Sequence, residues 1–247
     1  MTILEGKGLS RRYDGQHRAV DALVNVDLRL EEGEILGIVG ESGSGKSTLL
    51  KLLSGLEPPS AGQVLLHGRV LSMRRTKADY RAMQMIFQDA VASFHPRRSV
   101  GASIAEAVRS LCGKTEAPDR ETLAALVGLS PELMDRLPRE LSGGQCQRFA
   151  IARAVAVAPE ILLCDEITSA LDVSSQAQIL RLVRDICRER GTSAVFVSHD
   201  LAVVSCLCDR IMVMQGGRLV EEGPARELLA APAEAYTRKL IDSVMKL

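Results

Sequence analysis

The eight residues Gly40-Glu41-Ser42-Gly43-Ser44-Gly45-Lys46-Ser47 match G-x-x-x-x-G-K-[ST] at every fixed position. They follow an apolar run, EILGIV from Glu34 to Val39, and precede a helical pattern, TLLKLLSGL, that Gly55 closes. A short run without polar alternation suits a strand buried on both faces of a parallel sheet. Strand, glycine-rich loop and helix in this order make a phosphate cradle. The glycines let successive backbone N–H groups turn inward, and the positive end of the helix favours an anion. Lys46 adds a point charge, the Ser47 hydroxyl is placed to ligate Mg²⁺, and Thr48 carries the loop into the helix. The bland alternative, a glycine-rich turn with an incidental Lys-Ser, leaves the flanking strand and helix unexplained. By itself the motif says nucleoside triphosphate and no more.

The rest of the chain reads as strands alternating with helices, which argues for an α/β fold of the P-loop NTPase type with a parallel-sheet core. Residues 3–9 and 22–30 alternate apolar and polar, as half-exposed strands do, and are expected to pair antiparallel. Short strands are predicted at 62–67, 83–87, 161–165, 193–198 and 210–215. Between about 89 and 158 the apolar residues fall instead at helical spacing, as in Val100, Ile104, Val108 and Leu111. The expectation is one domain over 1–247: a nucleotide-binding core, 1–88 with 159–247, interrupted by a helical insertion.

Composition narrows the function. Lys plus Arg and Asp plus Glu both number 31, so the formal net charge is zero, and aromatics are 3% with no Trp. Whole-surface attraction to nucleic acid and base-stacking platforms are disfavoured. No apolar run approaches the roughly 18 to 20 residues that span a bilayer, and the N-terminal residues lack a secretory pattern. The six cysteines read as reduced thiols, and Cys206-x-Cys208 has no further ligands at zinc-site spacing. The expected location is cytoplasmic.

Two further segments carry chemistry. ILLCDE is an apolar strand ending in two carboxylates: Asp165 is placed to hold Mg²⁺, and Glu166 to polarise an attacking water as general base. Two acids ending a strand are often incidental; the upstream phosphate loop tips the balance. Ser142-Gly143-Gly144-Gln145 precedes a helix, with Ser142 able to cap it and both glycines exposing N–H groups for a second anion site. With Leu141 in front, these residues make the chain resemble the ATPase subunits of ATP-binding-cassette transporters over nearly its whole length.

That resemblance implies further roles. Tyr13 stands where an aromatic stacks on adenine, the alternative being a core residue. Gln88 in IFQD matches the Q-loop, whose amide reaches Mg²⁺ or the attacking water. Ser169-Ala-Leu-Asp172 matches the D-loop. His199 in SHD matches the residue that contacts the γ-phosphate; the bland alternative is a buried, satisfied histidine. The resemblance also implies that two cassettes, identical or different, sandwich two ATP molecules, the phosphate loop of each facing the Ser142–Gln145 segment of the other.

Within the family, FQDAVASFHPRRSV, TSALDVSSQAQIL and AYTRKLI are similar to the peptide and nickel importer branch. Phe94, Cys146 and Glu234-Ala235 depart from its usual residues, none at a nucleotide-contacting position. The branch implies a peripheral subunit on the cytoplasmic membrane face that uses ATP and Mg²⁺. Its partners would be transmembrane permease subunits and, indirectly, an extracytoplasmic solute-binding protein, with no nucleic acid. The solute stays open among peptides, nickel and other metal chelates. The competing reading is a soluble cassette acting on nucleic acid or the ribosome, but no long coiled-coil insertion or second cassette is present. A non-hydrolysing cassette would need a degenerate site, whereas Lys46, Asp165, Glu166 and His199 are all in place. Seven basic residues against two acidic ones over 69–98 read either as a solvated face or as a surface near headgroups or a membrane partner. Phe94 and Val100, rimmed by Arg97 and Arg98, are expected to anchor a permease helix, unless Phe94 packs inside the insertion.

Overall fold

A computed structural model describes residues 1–14, 19–113 and 118–244. Residues 114–117 of the expected insertion lie outside them. In chain order the elements are β1 (Thr2–Asp14), β2 (Ala19–Glu31), β3 (Ile35–Val39), α1 (Lys46–Ser54), β4 (Ala61–Leu66), β5 (Arg69–Val70), α2 (Lys77–Ala82) and β6 (Met83–Ile86). The middle of the chain holds α3 (Val100–Cys112), α4 (Arg120–Leu126), the 3₁₀ turns Pro131–Asp135 and Pro138–Glu140, and α5 (Gly143–Val155). Then come β7 (Ile161–Asp165), α6 (Val173–Arg190), β8 (Ser193–Val197), α7 (Leu201–Leu207), β9 (Arg210–Gln215), β10 (Arg218–Pro224), α8 (Ala225–Ala230) and α9 (Ala235–Val244). Contacts divide the chain into two compact units, one of residues 1–75 with 187–247 and the other of 76–186.

The first unit carries an antiparallel sheet in the order β2-β1-β4-β5. Along β2, Val26, Leu28 and Leu30 are buried while Asp27 and Arg29 face water, the period-two pattern of a half-covered sheet. In the same unit β3 lies parallel to both β8 and β9, and β10 closes antiparallel on β9. All five residues of β3 are buried, as are all five of β8, which explains why both read as unbroken apolar runs. Helix α1 buries Leu49, Leu50, Leu52 and Leu53 on several sides, each contributing about 1.5–3 kcal/mol. It ends at Gly55 in the left-handed region, and Arg75 Nη2 donates to Leu53 O at 2.8 Å, a cation at the negative end of the helix.

In the second unit β6 pairs parallel with β7. Helix α2 starts with a capping box: Asp79 N–H donates to Thr76 Oγ1 at 3.1 Å and Thr76 N–H to the Asp79 carboxylate at 2.8 Å. Ser99 caps α3, whose Val100, Ile104 and Val108 form one buried stripe. Phe94 is only 4% exposed and Val100 is fully buried, so the expected permease anchor is corrected: both are core. Arg153 explains the burial of Phe94, its guanidinium lying 4.4 Å from the ring centroid while donating to Ser93 O at 2.6 Å and Ser93 Oγ at 3.0 Å. Two of the seven basic residues of 69–98 also turn inward, since Arg75 caps α1 and Arg81 donates to Val157 O.

Candidate functional site

In the first unit, the phosphate loop leaves the C-terminal end of β3 and enters α1 at Lys46. Gly45 has φ 102°, and a Cβ there would come within 2.6 Å of Ala22 O, so only glycine fits. Lys46 is buried at 4% exposure, and its Nζ donates to Gly40 O at 2.8 Å and Glu41 O at 2.9 Å. Glu41, Ser42 and Gly43 stand exposed at the lip of the loop, Gly40 and Ser44 lie within it, and Ser47 and Thr48 are half-buried on the first turn of α1. The Ser44 hydroxyl is buried without a hydrogen-bond partner among the described residues. An orphaned hydroxyl beside a buried ammonium suits a loop built to receive phosphate oxygens.

Strand β8 runs parallel to β3 in the register Ile38↔Val197, and Ser198 N–H donates to Ile38 O at 3.1 Å. His199 therefore emerges at the same end of the sheet as the phosphate loop, where ligands bind in open α/β sheets. Its side chain is exposed, which removes the reading as a buried core histidine. Asp200 then caps α7 through Ala202 N–H. Tyr13 is half-buried near the end of β1, and its hydroxyl donates to Glu57 at 2.5 Å. The Arg11 guanidinium lies 4.7 Å from the ring centroid, and Glu57 also pairs with Arg11 and Lys51. The Tyr13 hydrogen bond, more than the two cations, holds the Glu57 carboxyl below its ordinary value.

In the second unit, Asp165 ends β7 at 8% exposure, and Glu166 follows with φ 47°. A left-handed glutamate is strained, a cost often found where a side chain must be aimed. The Gln88 amide donates to Ser169 Oγ at 3.2 Å and lies 3.5 Å from the Glu166 carboxylate. Ser169 Oγ donates to Glu166 O at 2.9 Å, closing the turn. Gln88 and Asp165 line one cavity of about 430 Å³ together with Phe87, Asp89 and Ser93. A neighbouring cavity of about 380 Å³ also includes Gln88, with Gly143 and Leu171. Asp172 accepts from the Ser175 hydroxyl and N–H, which lower its carboxyl.

Ser142 caps α5 in a full capping box, accepting from Gln145 N–H at 3.2 Å while Gln145 Oε1 accepts from Ser142 N–H at 3.0 Å. A Cβ built on Gly143 or Gly144 would meet nothing closer than 4.0 Å and 3.7 Å, respectively. Packing within the chain does not require glycine at either position.

Within the first unit the candidates Gly40–Thr48 and His199 meet at one end of the sheet, and Tyr13 lies on β1. Within the second, Gln88 lies beside Glu166, shares one cavity with Asp165 and another with Gly143 of the Ser142–Gln145 cap. Sequence reasoning missed two residues that hold the loop. Gly217 N–H donates to Ser44 O at 3.0 Å, and the Tyr236 hydroxyl accepts from Glu41 N–H at 3.1 Å. The Gly216-Gly217 turn was a readable signal for the first; nothing local marks the second. For a metal, the hydroxyl, carboxylate and amide oxygens of Ser47, Asp165 and Gln88 are hard donors of the kind Mg²⁺ takes. Among the described residues no group of three or more His, Cys, Asp or Glu is placed to hold a metal ion. No helix among the described residues is long and apolar enough to cross a membrane.

Comparison with known proteins places this geometry in context. A family model described as ABC transporter matches residues 23–169. The oligopeptide transport ATP-binding protein OppF of Escherichia coli is 45% identical over 235 residues, covering 92% of this chain and 70% of the relative. OppF of Salmonella typhimurium is 44% identical over 252 residues, covering 98% and 74%. Among solved structures, a dimeric post-hydrolysis state of the ATP-binding cassette MJ0796 bound to ADP and Pi superposes with TM-score 0.80 at 28% identity, covering 91% of this chain and 99% of that one.

Proposed function

The chain belongs to the ABC transporter family, and from that premise we propose that it is the ATP-hydrolysing subunit that powers a peptide importer. The observation that carries the peptide reading is the 45% identity to an oligopeptide transport ATP-binding protein over 92% of the chain. The relatives described above are named for oligopeptide transport, whereas nickel and other metal chelates rest on the sequence resemblance alone. The chain is an ATPase, with an ordered phosphate loop around a buried Lys46.

The residues divide the work. Lys46 and the N–H groups of Gly40–Ser47 bind the phosphates, with Thr48 in the first helical turn. Tyr13, its ring oriented by Glu57, stacks on adenine. Ser47, Asp165 and Gln88 would hold Mg²⁺, which would neutralise phosphate charge and orient the triphosphate. Glu166 takes the proton of the attacking water, and Gln88 beside it positions that water. His199 contacts the γ-phosphate.

Ser142, Gly143, Gly144 and Gln145 serve the nucleotide of a second cassette. Two observations support that assignment: both glycines have space for a side chain that the chain itself does not fill, and Val173, just past the D-loop, is 82% exposed. The second cassette is an identical or a different ATPase subunit. The family implies association with permease subunits, and the peptide reading adds a solute-binding protein on the far side. The subunit then works peripherally on the cytoplasmic membrane face, as one cassette domain over 1–247 with a helical insertion near 89–158.

The test is reconstitution of the chain with its permease in vesicles. ATP-dependent uptake of labelled oligopeptides, lost in Lys46→Ala, is the expected result. Uptake of a nickel chelate but no peptide would overturn the solute assignment.

A further inference from the structure

The peptide between Gly40 and Glu41 is held from both sides. Its N–H, on Glu41, donates to the Tyr236 hydroxyl at 3.1 Å, and its carbonyl, on Gly40, accepts from Lys46 Nζ at 2.8 Å. Tyr236 lies on α9, 195 residues further along the chain. That helix is itself firmly seated. Glu221 on β10 accepts from Ala233 N–H at 2.7 Å and Glu234 N–H at 3.2 Å, just ahead of the helix. Arg238 Nη1 reaches back to Pro232 O at 2.7 Å and Ala233 O at 2.9 Å. Burial alone would raise the Glu221 carboxyl, but the hydrogen bonds it accepts hold it below its ordinary value. It therefore remains an ionised acceptor at neutral pH. The loop that leads into β10 grips the same region, where Gly217 N–H donates to Ser44 O at 3.0 Å.

We propose that Tyr236 is a positioning residue for nucleotide binding: from the C-terminal helix its hydroxyl fixes the Gly40–Glu41 peptide, and through it the seat of Lys46. The proposal rests on the nucleotide-binding reading of the phosphate loop. Its physical basis is preorganisation. Glu41, Ser42 and Gly43 are exposed, so a loop without this tether would have to be ordered at the expense of binding free energy. With the Gly40–Glu41 peptide pinned, its carbonyl already points at the ammonium and the loop keeps its anion-binding shape. Tyr236 touches loop backbone rather than reacting atoms, so it should tune affinity and leave the chemical step alone.

The test uses the 247-residue chain and MgADP as probe, with calorimetry on wild type, Lys46→Ala and Tyr236→Phe. The phenylalanine variant keeps the ring and its packing and removes only the acceptor. It is expected to bind MgADP about three- to tenfold more weakly at an unchanged unfolding temperature without nucleotide. In the assembled transporter it should raise the KM for ATP by a similar factor at constant kcat. Wild-type affinity in Tyr236→Phe, or a fall in kcat with KM unchanged, overturns the proposal. If wild type binds no better than Lys46→Ala, the nucleotide reading fails and this inference falls with it. Should the variant not fold, amide exchange at Glu41 in the nucleotide-free wild type decides: protection supports the tether, and exchange as fast as in an unstructured peptide overturns it.

Discussion

The Arg153 guanidinium lies 4.4 Å from the centroid of the Phe94 ring, binding α5, the helix that Ser142 caps, to the stretch that follows Gln88. Burial lowers the arginine below its ordinary value, and no carboxylate among the described residues pairs with it. Its charge is met by Ser93 O, Ser93 Oγ and the ring face. Phe94→Asp would set a carboxylate in a buried site, and the aromatic packing it removes is by itself worth about 3–5 kcal/mol. The isolated subunit is expected to unfold at a markedly lower temperature. Phe94→Asp with a wild-type melting curve would contradict core placement.

Glu166→Gln is expected to lower ATP hydrolysis in the assembled transporter by about 10²-fold or more while nucleotide binding persists. The amide keeps the shape of the side chain and loses the basicity. Single-turnover hydrolysis alongside equilibrium binding separates the two. Turnover near the wild-type rate would exclude Glu166 as the base.

Gly144→Ala separates folding from function. The new methyl would sit 3.7 Å from Ser175 Oγ, ordinary contact, and alanine favours a helix over glycine by about 1 kcal/mol. The subunit should be as stable as wild type or more so, yet hydrolysis in the assembled transporter should fall severalfold because the methyl intrudes on the partner's nucleotide. Unimpaired hydrolysis would show that the open space at Gly144 serves no partner.

Glu57 gives a pH dependence with a definite sign. Its folded-state pKa lies below the ordinary glutamate value, chiefly through the Tyr13 hydrogen bond. Its stabilisation is therefore complete above that value and is lost as pH falls through the lowered folded pKa. Glu57→Gln should cost at most about 1 kcal/mol at neutral pH, given partial solvent screening, with the difference from wild type shrinking in acid. Urea unfolding at pH 7 and pH 3 measures this. A difference that is constant with pH would mean that the carboxylate charge is not what holds the tyrosine.

The parts of the fold legible in the sequence were those whose signal is local. The phosphate loop is contiguous, its strand is unbroken apolar sequence because both faces are covered, and Ser142 and Gln145 announce their cap three residues apart. The Thr76–Asp79 capping box of α2 has the same spacing and could have been read, but the helix has only six residues and little periodicity. Strand β10 hid because it has no fully buried residue and so no two-residue alternation. Phe94 was misjudged because an aromatic among arginines reads as a rimmed surface. That one arginine of another helix covers it is information only the fold contains. The same holds for Tyr236, whose partner Glu41 lies 195 residues away.

The central claim is that each nucleotide site is completed by a second cassette, and hydrolysis measured against protein concentration tests it most directly. Specific ATPase activity of the isolated chain, followed by light scattering through serial dilution, should fall as the dimer dissociates, with rate rising as the square of concentration in the dilute limit. Glu166→Gln with ATP should remain dimeric over the same range. A specific activity flat across dilution, with monomers throughout, would contradict the account.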